Sequence, residues 1–328
     1  MKKKLLNISL AVLNVSAIIF GLTAIANELI KVSDIKAAIF GPTEVITNSW
    51  TTGKEPVHFK SWYQSVEDVI AGSSDFAKAA EAEGAVLLKN NTLSNGKKAL
   101  PLEANKDKVS LFGAVSYNPM YSLDGAGGGP VNNDIKQFYE DEFIDNGLAV
   151  NNDLAVWYKS NTNTGKGYTQ GNNTNYNINE VGWNSLPEAK NNSSYKTAVY
   201  TIGRMTNEGI DLPPYSAGGV ASSSLTDNDY LKLTGNEISI LKGLKAAKDA
   251  GTFDRIVVLF NTGNTIMDNV VDNPEYGIDA AMWVGFTGVT GISAVADLLT
   301  NVSTPSGRLP TTWFTNQKEH PSWNNFGN

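Results

Sequence analysis

Four short apolar runs, Val109 to Phe112, Thr197 to Ile202, Ile256 to Phe260 and Ala280 to Val284, constrain the fold of this chain more than any other feature. They are of the kind buried on both faces of a parallel sheet. Helical stretches separate them. The clearest opens at Thr234-Gly235-Asn236-Glu237, a capping-box spacing, and runs through Ile238, Leu241, Leu244 and Ala247. Another is expected from Asp75 as its cap through Ala79, Ala80, Ala82, Ala85, Val86 and Leu88, and a last one from Thr290 to Leu299. Strands alternating with helices predict an α/β domain: a mostly parallel sheet with helices on both faces, a three-layer sandwich. In such sheets ligands gather at loops beyond the carboxyl ends of the strands.

Composition narrows the chemistry. The 26 basic and 33 acidic residues leave a net charge of -7, and no Lys/Arg cluster beyond Lys2, Lys3 and Lys4 could follow a phosphate backbone, so no nucleic-acid partner is expected. There is no cysteine, and the two histidines, His58 and His320, lie far apart. Thiolate catalysis and Cys/His metal sites therefore lack their ligands, and no metal or cofactor is expected. Carboxylates, hydroxyls and aromatic faces remain.

The three lysines precede an apolar run from Ile8 to Ile25, close to the roughly 20 residues that cross a bilayer. The basic flank should stay cytoplasmic. This predicts an N-terminal hydrophobic helix that anchors the rest on the extracellular side of the membrane. The alternative is cleavage at Ala24-Ile25-Ala26 and secretion. The expected organisation is an anchor or signal over 1–26, a stalk and lead-in over 27–73, and the α/β domain over 74–328. Asn161 to Ser194, rich in Asn, Thr, Gly and Ser, reads as a long surface insertion. Trp183, Trp283 and Trp313 read as core or boundary residues rather than exposed stacking platforms.

Two loops stand out. Ile202-Gly203-Arg204-Met205-Thr206-Asn207-Glu208-Gly209-Ile210-Asp211-Leu212-Pro213 places the carboxylate of Glu208 just beyond a strand, with Arg204 and Asp211 near enough to hold or tune it. A glutamate in a polar loop is more often merely solvated, so this run alone assigns nothing. Gly125-Ala126-Gly127-Gly128-Gly129 is not a GxGxxG joining a strand directly to a helix, because Ala114 to Asp124 intervene. The run reads either as a plain turn or as a loop in which Gly127 and Gly128 let backbone approach a ligand closely. A flavodoxin-like nucleotide-binding domain remains a rival.

The ordered set of motifs resembles glycoside hydrolase family 3. Ala-Glu-Gly-Ala-Val-Leu-Leu-Lys-Asn within Asp75 to Leu102 is similar to the opening of its C-terminal-type sandwich, and the glycines at 125–129 resemble its Gly-rich loop. Asn207-Glu208-Gly209-Ile210-Asp211 resembles its acid/base loop. Val257 to Asn264 and Asn301 to Pro310 resemble two later segments. Asn207 replaces a usual Gly, and Leu212 stands where many members have Arg, a departure shared by a membrane-anchored branch with reversed domain order.

The resemblance implies a retaining glycosidase of the β-glucosidase type acting on oligosaccharides or glycosides. Glu208 would be its general acid/base, and the nucleophilic Asp would lie on a barrel of about 250 residues. These 328 residues leave no room for that barrel. The chain alone is therefore expected to be inactive, with Glu208 exposed and the barrel as its partner. The alternative is a non-catalytic cell-surface carbohydrate-binding module.

Overall fold

The computed structural model describes residues 15–16, 62–122, 135–161, 180–206, 230–267, 269–315 and 319. The chain divides into two compact units, Met1–Gln64 and Ser65–Asn328. Of the apolar run at the N-terminus only Val15 and Ser16 are described, both helical and exposed. Among the described residues no helix is long and apolar enough to cross a membrane.

The second unit opens with α1 (Val66–Gly84), and here the structure departs from the sequence reading. Asp75 lies within the helix; the cap is Ser65, whose hydroxyl accepts the Asp68 N–H while the Asp68 carboxylate accepts the Ser65 N–H. Part of the expected stalk is thus helical. The helix also stops sooner. Val86 and Leu88 belong to β1 (Val86–Asn90), which pairs antiparallel with β6 (Ala280–Trp283). A short apolar run fits either period, and cross-strand pairing decides it.

The remaining elements are β2 (Lys108–Phe112), α2 (Ala114–Tyr117), α3 (Tyr139–Asp145), β3 (Ala149–Val150), α4 (Asn152–Ser160), β4 (Thr197–Arg204), α5 (Gly235–Asp249), β5 (Arg255–Thr262), β6 and α6 (Ile292–Leu299); strands and helices alternate as expected up to β5, but among the described residues no helix separates β5 from β6. The six strands form one sheet in the order β1-β6-β5-β4-β2-β3. Every pairing is parallel except that of β1 with β6, so the sheet is mixed, with one antiparallel edge strand. The interior strand β4 is buried along its whole length. Helices α1, α3 and α6 pack together. Elsewhere the Trp183 ring stacks on Phe112 and lies where a side chain at Gly243 of α5 would be.

Only the two ends of the expected surface insertion, Asn161 and the stretch from Glu180, are described. Residues 162–179 lie outside the described part, but from Glu180 the chain is packed, with Glu180 and Leu186 buried. A few anchors suffice to pull a polar stretch onto a core.

Two apolar clusters result. The larger fills the sheet and its helices. The smaller joins Val115, Met120, Met205, Tyr230, Leu231 and Met267, with Phe286 against it. Its members sit on segments following β2, β4, β5 and β6, so it underlies the carboxyl end of the sheet.

Candidate active site

The strand order fixes where a ligand site belongs. From β2 the chain runs outward to β3, whereas from β4 it runs the opposite way to β5. The crevice beyond the carboxyl ends of β2 and β4 is therefore the topological switch point, where open α/β sheets bind ligands. The loop holding Gly127 and Gly128 lies between β2 and α3, and that holding Glu208 and Asp211 between β4 and α5. These four residues lie outside the described part, but Met120, shortly before the first loop, and Met205 and Tyr230, beside the second, share the smaller apolar cluster.

Register shapes the crevice. Phe112, the last residue of β2, pairs with Tyr200, and β4 continues alone against β5 to Arg204 opposite Thr262. The chain after β2 turns sharply at Gly113, whose φ of 98° favours glycine. A side chain there would lie 2.6 Å from the Thr201 carbonyl. The short α2 then lies along the free end of β4, with the Ser116 hydroxyl donating to the Phe112 carbonyl and 2.7 Å from the Thr201 hydroxyl.

Arg204, read from sequence as a group that could hold or tune Glu208, can be followed only among the described residues, because Glu208 lies outside them. It is completely buried at the end of β4, and its five N–H donors are all directed within the described fold. Two meet the Glu237 carboxylate, at 2.7 and 2.8 Å; the others reach the carbonyls of Gly203, Tyr230 and Lys232. Glu237 also completes the Thr234 capping box of α5. What Arg204 does hold is the chain re-entering after the Glu208 loop.

Three residues that sequence reasoning did not single out complete the frame. Tyr230, fully buried, accepts the Met205 N–H at 2.6 Å and donates to the Met205 carbonyl at 3.0 Å. Asn261, at the end of β5, accepts from the Met120 N–H and donates to the carbonyls of Met120 and Gly285. Asn264 donates to the Met205 carbonyl. Asn261 and Asn264 were visible only as parts of a motif; Tyr230, at the end of a polar stretch, carried no signal.

Glu180 is the fourth. It accepts N–H bonds from Ala114 and Val181. Burial nevertheless pushes its pKa up to about 8. Glu81, buried on α1 with one carboxylate oxygen lacking a hydrogen-bond partner, is likewise pushed up to about 8 by burial. An unfolded glutamate releases its proton near 4.5, so between that pH and 8 the folded state holds more protons than the unfolded. Raising the pH across that window therefore costs stability, on the order of 1 kcal/mol per unit for each group. Urea melts at pH 5.5 and 7.5 should show the loss. The double substitution Glu81→Gln, Glu180→Gln should flatten it; an unchanged slope in that variant would remove these two groups as its cause.

A separate cavity of about 210 Å³ lies toward the opposite edge of the sheet, lined by Leu88, Ile266, Val271, Trp313 and Phe314 among others. Trp313 packs edge-on against Phe260, and the Trp283 indole donates to the Thr262 carbonyl. All three tryptophans read as core or boundary residues thus serve packing. Among the described residues no cluster of His, Cys, Asp or Glu could hold a metal.

Comparison with known proteins agrees with the motif order. The family model described as Glycosyl hydrolase family 3 C-terminal domain matches residues 85–328. A beta-glucosidase of Ruminococcus albus is 31% identical over 255 residues, which is 76% of this chain and 24% of that protein. A solved beta-glucosidase of Paenibacillus barengoltzii is 29% identical with a TM-score of 0.59, covering 78% of this chain and 26% of its own. Beta-glucosidase 3B of Thermotoga neapolitana, in complex with glucose, is 25% identical with a TM-score of 0.60 over 78% of this chain and 33% of its own. The chain spans no more than a third of the length of these relatives.

Proposed function

Because the chain belongs to glycosyl hydrolase family 3, whose C-terminal domain it carries, we propose that it supplies the general acid/base Glu208 to a retaining β-glycosidase of the β-glucosidase type. The observation that carries this reading is the switch crevice: the Gly-rich loop and the Glu208 loop leave neighbouring parallel strands at their carboxyl ends. Relatives named beta-glucosidase support the substrate class, a β-linked glucoside or a close relative.

Retaining hydrolysis needs two carboxyl groups about 5–5.5 Å apart, one to protonate the leaving oxygen and one to form the glycosyl-enzyme. Glu208 takes the first role. The nucleophilic Asp comes from a barrel domain that closes over the crevice. That closure desolvates Glu208 and raises its pKa into the range of a useful acid. Gly127 and Gly128 line the sugar pocket with backbone, and Asp211 supports the loop. The run Ile8 to Ile25 anchors the assembly at the outer side of the membrane; a reporter fused after Ser73 that stays in the cytoplasm would contradict this.

The direct test is turnover of an aryl β-glucoside by the chain alone and by the chain joined to a family 3 barrel. The joined protein should release sugar with its anomeric configuration retained, followed by NMR, while the chain alone releases almost none. Inversion, or no turnover in any combination, overturns the proposal.

A further inference from the structure

The described residues on either side of Glu208 form a clasp. The chain leaves β4 through Met205 and Thr206 and re-enters the described fold at Tyr230. There the Tyr230 hydroxyl closes a two-bond pair with the backbone of Met205, accepting its N–H and donating to its carbonyl. From below, Arg204 binds the carbonyls of Tyr230 and Lys232 while Glu237 holds its guanidinium in plane. Asn264, on the neighbouring strand's loop, donates to the same Met205 carbonyl. The two feet of the loop are thus tied to each other and to two strands, and the tyrosine ring is sunk in the smaller apolar cluster.

Arg204, Glu237 and the Tyr230 side chain, which make these bonds, are all buried. Proton transfer to a leaving oxygen is sensitive to placement, with misplacement by about 1 Å costing on the order of 10²-fold. We propose that Tyr230 is a positioning residue for the general acid/base, its hydroxyl fixing the entry and exit of the loop that bears Glu208. This rests on the assignment of Glu208 given above.

The test uses the barrel-bearing enzyme and four proteins: wild type, Tyr230→Phe, Glu208→Ala and the double variant. Tyr230→Phe keeps the ring in its apolar seat and removes the two bonds to Met205. It should lower kcat by roughly 10- to 100-fold on a glucoside with a poor leaving group, with little change in KM. Formation of the glycosyl-enzyme from a glucoside of an acidic phenol, which needs little protonation, should hardly change. In the Glu208→Ala background the same substitution should add almost nothing, because the group it positions is gone. Asn264→Ala, which removes the third bond to Met205, should shift kcat in the same direction by less, and serves if Tyr230→Phe fails to fold.

Equal losses on all leaving groups, or a Tyr230→Phe effect that persists in the Glu208→Ala background, would mean a merely structural role and overturn the proposal. So would wild-type behaviour of Tyr230→Phe beside a Glu208→Ala variant that shows the leaving-group dependence. If Glu208→Ala itself lacks that dependence, the assignment of the acid/base falls, and this proposal with it.

Discussion

Replacing Glu208 by alanine in the barrel-bearing enzyme is expected to slow hydrolysis of a natural disaccharide by about 10²- to 10⁴-fold, the usual contribution of general-acid catalysis. The loss should depend on the leaving group. A sugar alkoxide is a poor leaving group and needs the proton, whereas an acidic phenol departs nearly unaided, so the first step on an activated aryl glycoside should continue. The second step, release of the glycosyl-enzyme by water, loses its base and should become limiting. Azide, a nucleophile needing no base, should then restore turnover and give a glycosyl azide. Asp211→Ala should show no such rescue if Asp211 only supports the loop. Uniform loss on every leaving group without azide rescue, in a protein that still folds, would move the assignment to Asp211.

Glu237→Ala should give the largest loss of stability among single substitutions at the crevice. It takes from the fully buried Arg204 the carboxylate that accepts two of its donors. Removing one member of a buried ion pair costs about 3–5 kcal/mol, because the other charge stays out of water uncompensated. The Thr234 capping box is lost as well, a smaller effect of about 1 kcal/mol that Thr234→Ala measures separately. Urea denaturation of the isolated chain reads both. The double variant Arg204→Met, Glu237→Leu should recover much of the loss, since apolar residues of similar volume often replace a buried pair at little cost. A Glu237→Ala midpoint no lower than that of Thr234→Ala would show that Arg204 finds another partner.

The parallel strands were legible in the sequence because burial on both faces leaves uninterrupted apolar runs, and those runs are β2, β4, β5 and β6. The Thr234 box was legible because capping is local, and it appears at the start of α5 as spaced. The opening of the domain was not. Ser65 and Asp68 form as good a box as Thr234 and Glu237, but the residues following it, Val66, Val69 and Phe76, face outward, so the expected apolar periodicity began only later. Val86 and Leu88 continue the alanine-rich helix by pattern and leave it by pairing, a choice made by β6 some two hundred residues away. For the crevice, sequence order gave the loops but not the frame. Arg204 sits close to Glu208 in sequence, but its pairing with Glu237, on the far side of the loop, had no local signal. Tyr230 and Glu180 act through burial, which no local pattern encodes.

The smaller apolar cluster gives the crevice an independent cooperativity. Met120, Met205 and Met267, unbranched and polarisable, meet there on segments from three strands, next to Tyr230 and Phe286 and apart from the cluster that fills the sheet. Groups of contacts that share few members open separately, with free energies below that of global unfolding. In native-state hydrogen exchange the amides of Met205 and Met267 should accordingly form a common foldon that opens before the interior of β4 and β5. A lineage could therefore rebuild the chemistry at this end of the molecule while the sandwich beneath it keeps its full protection.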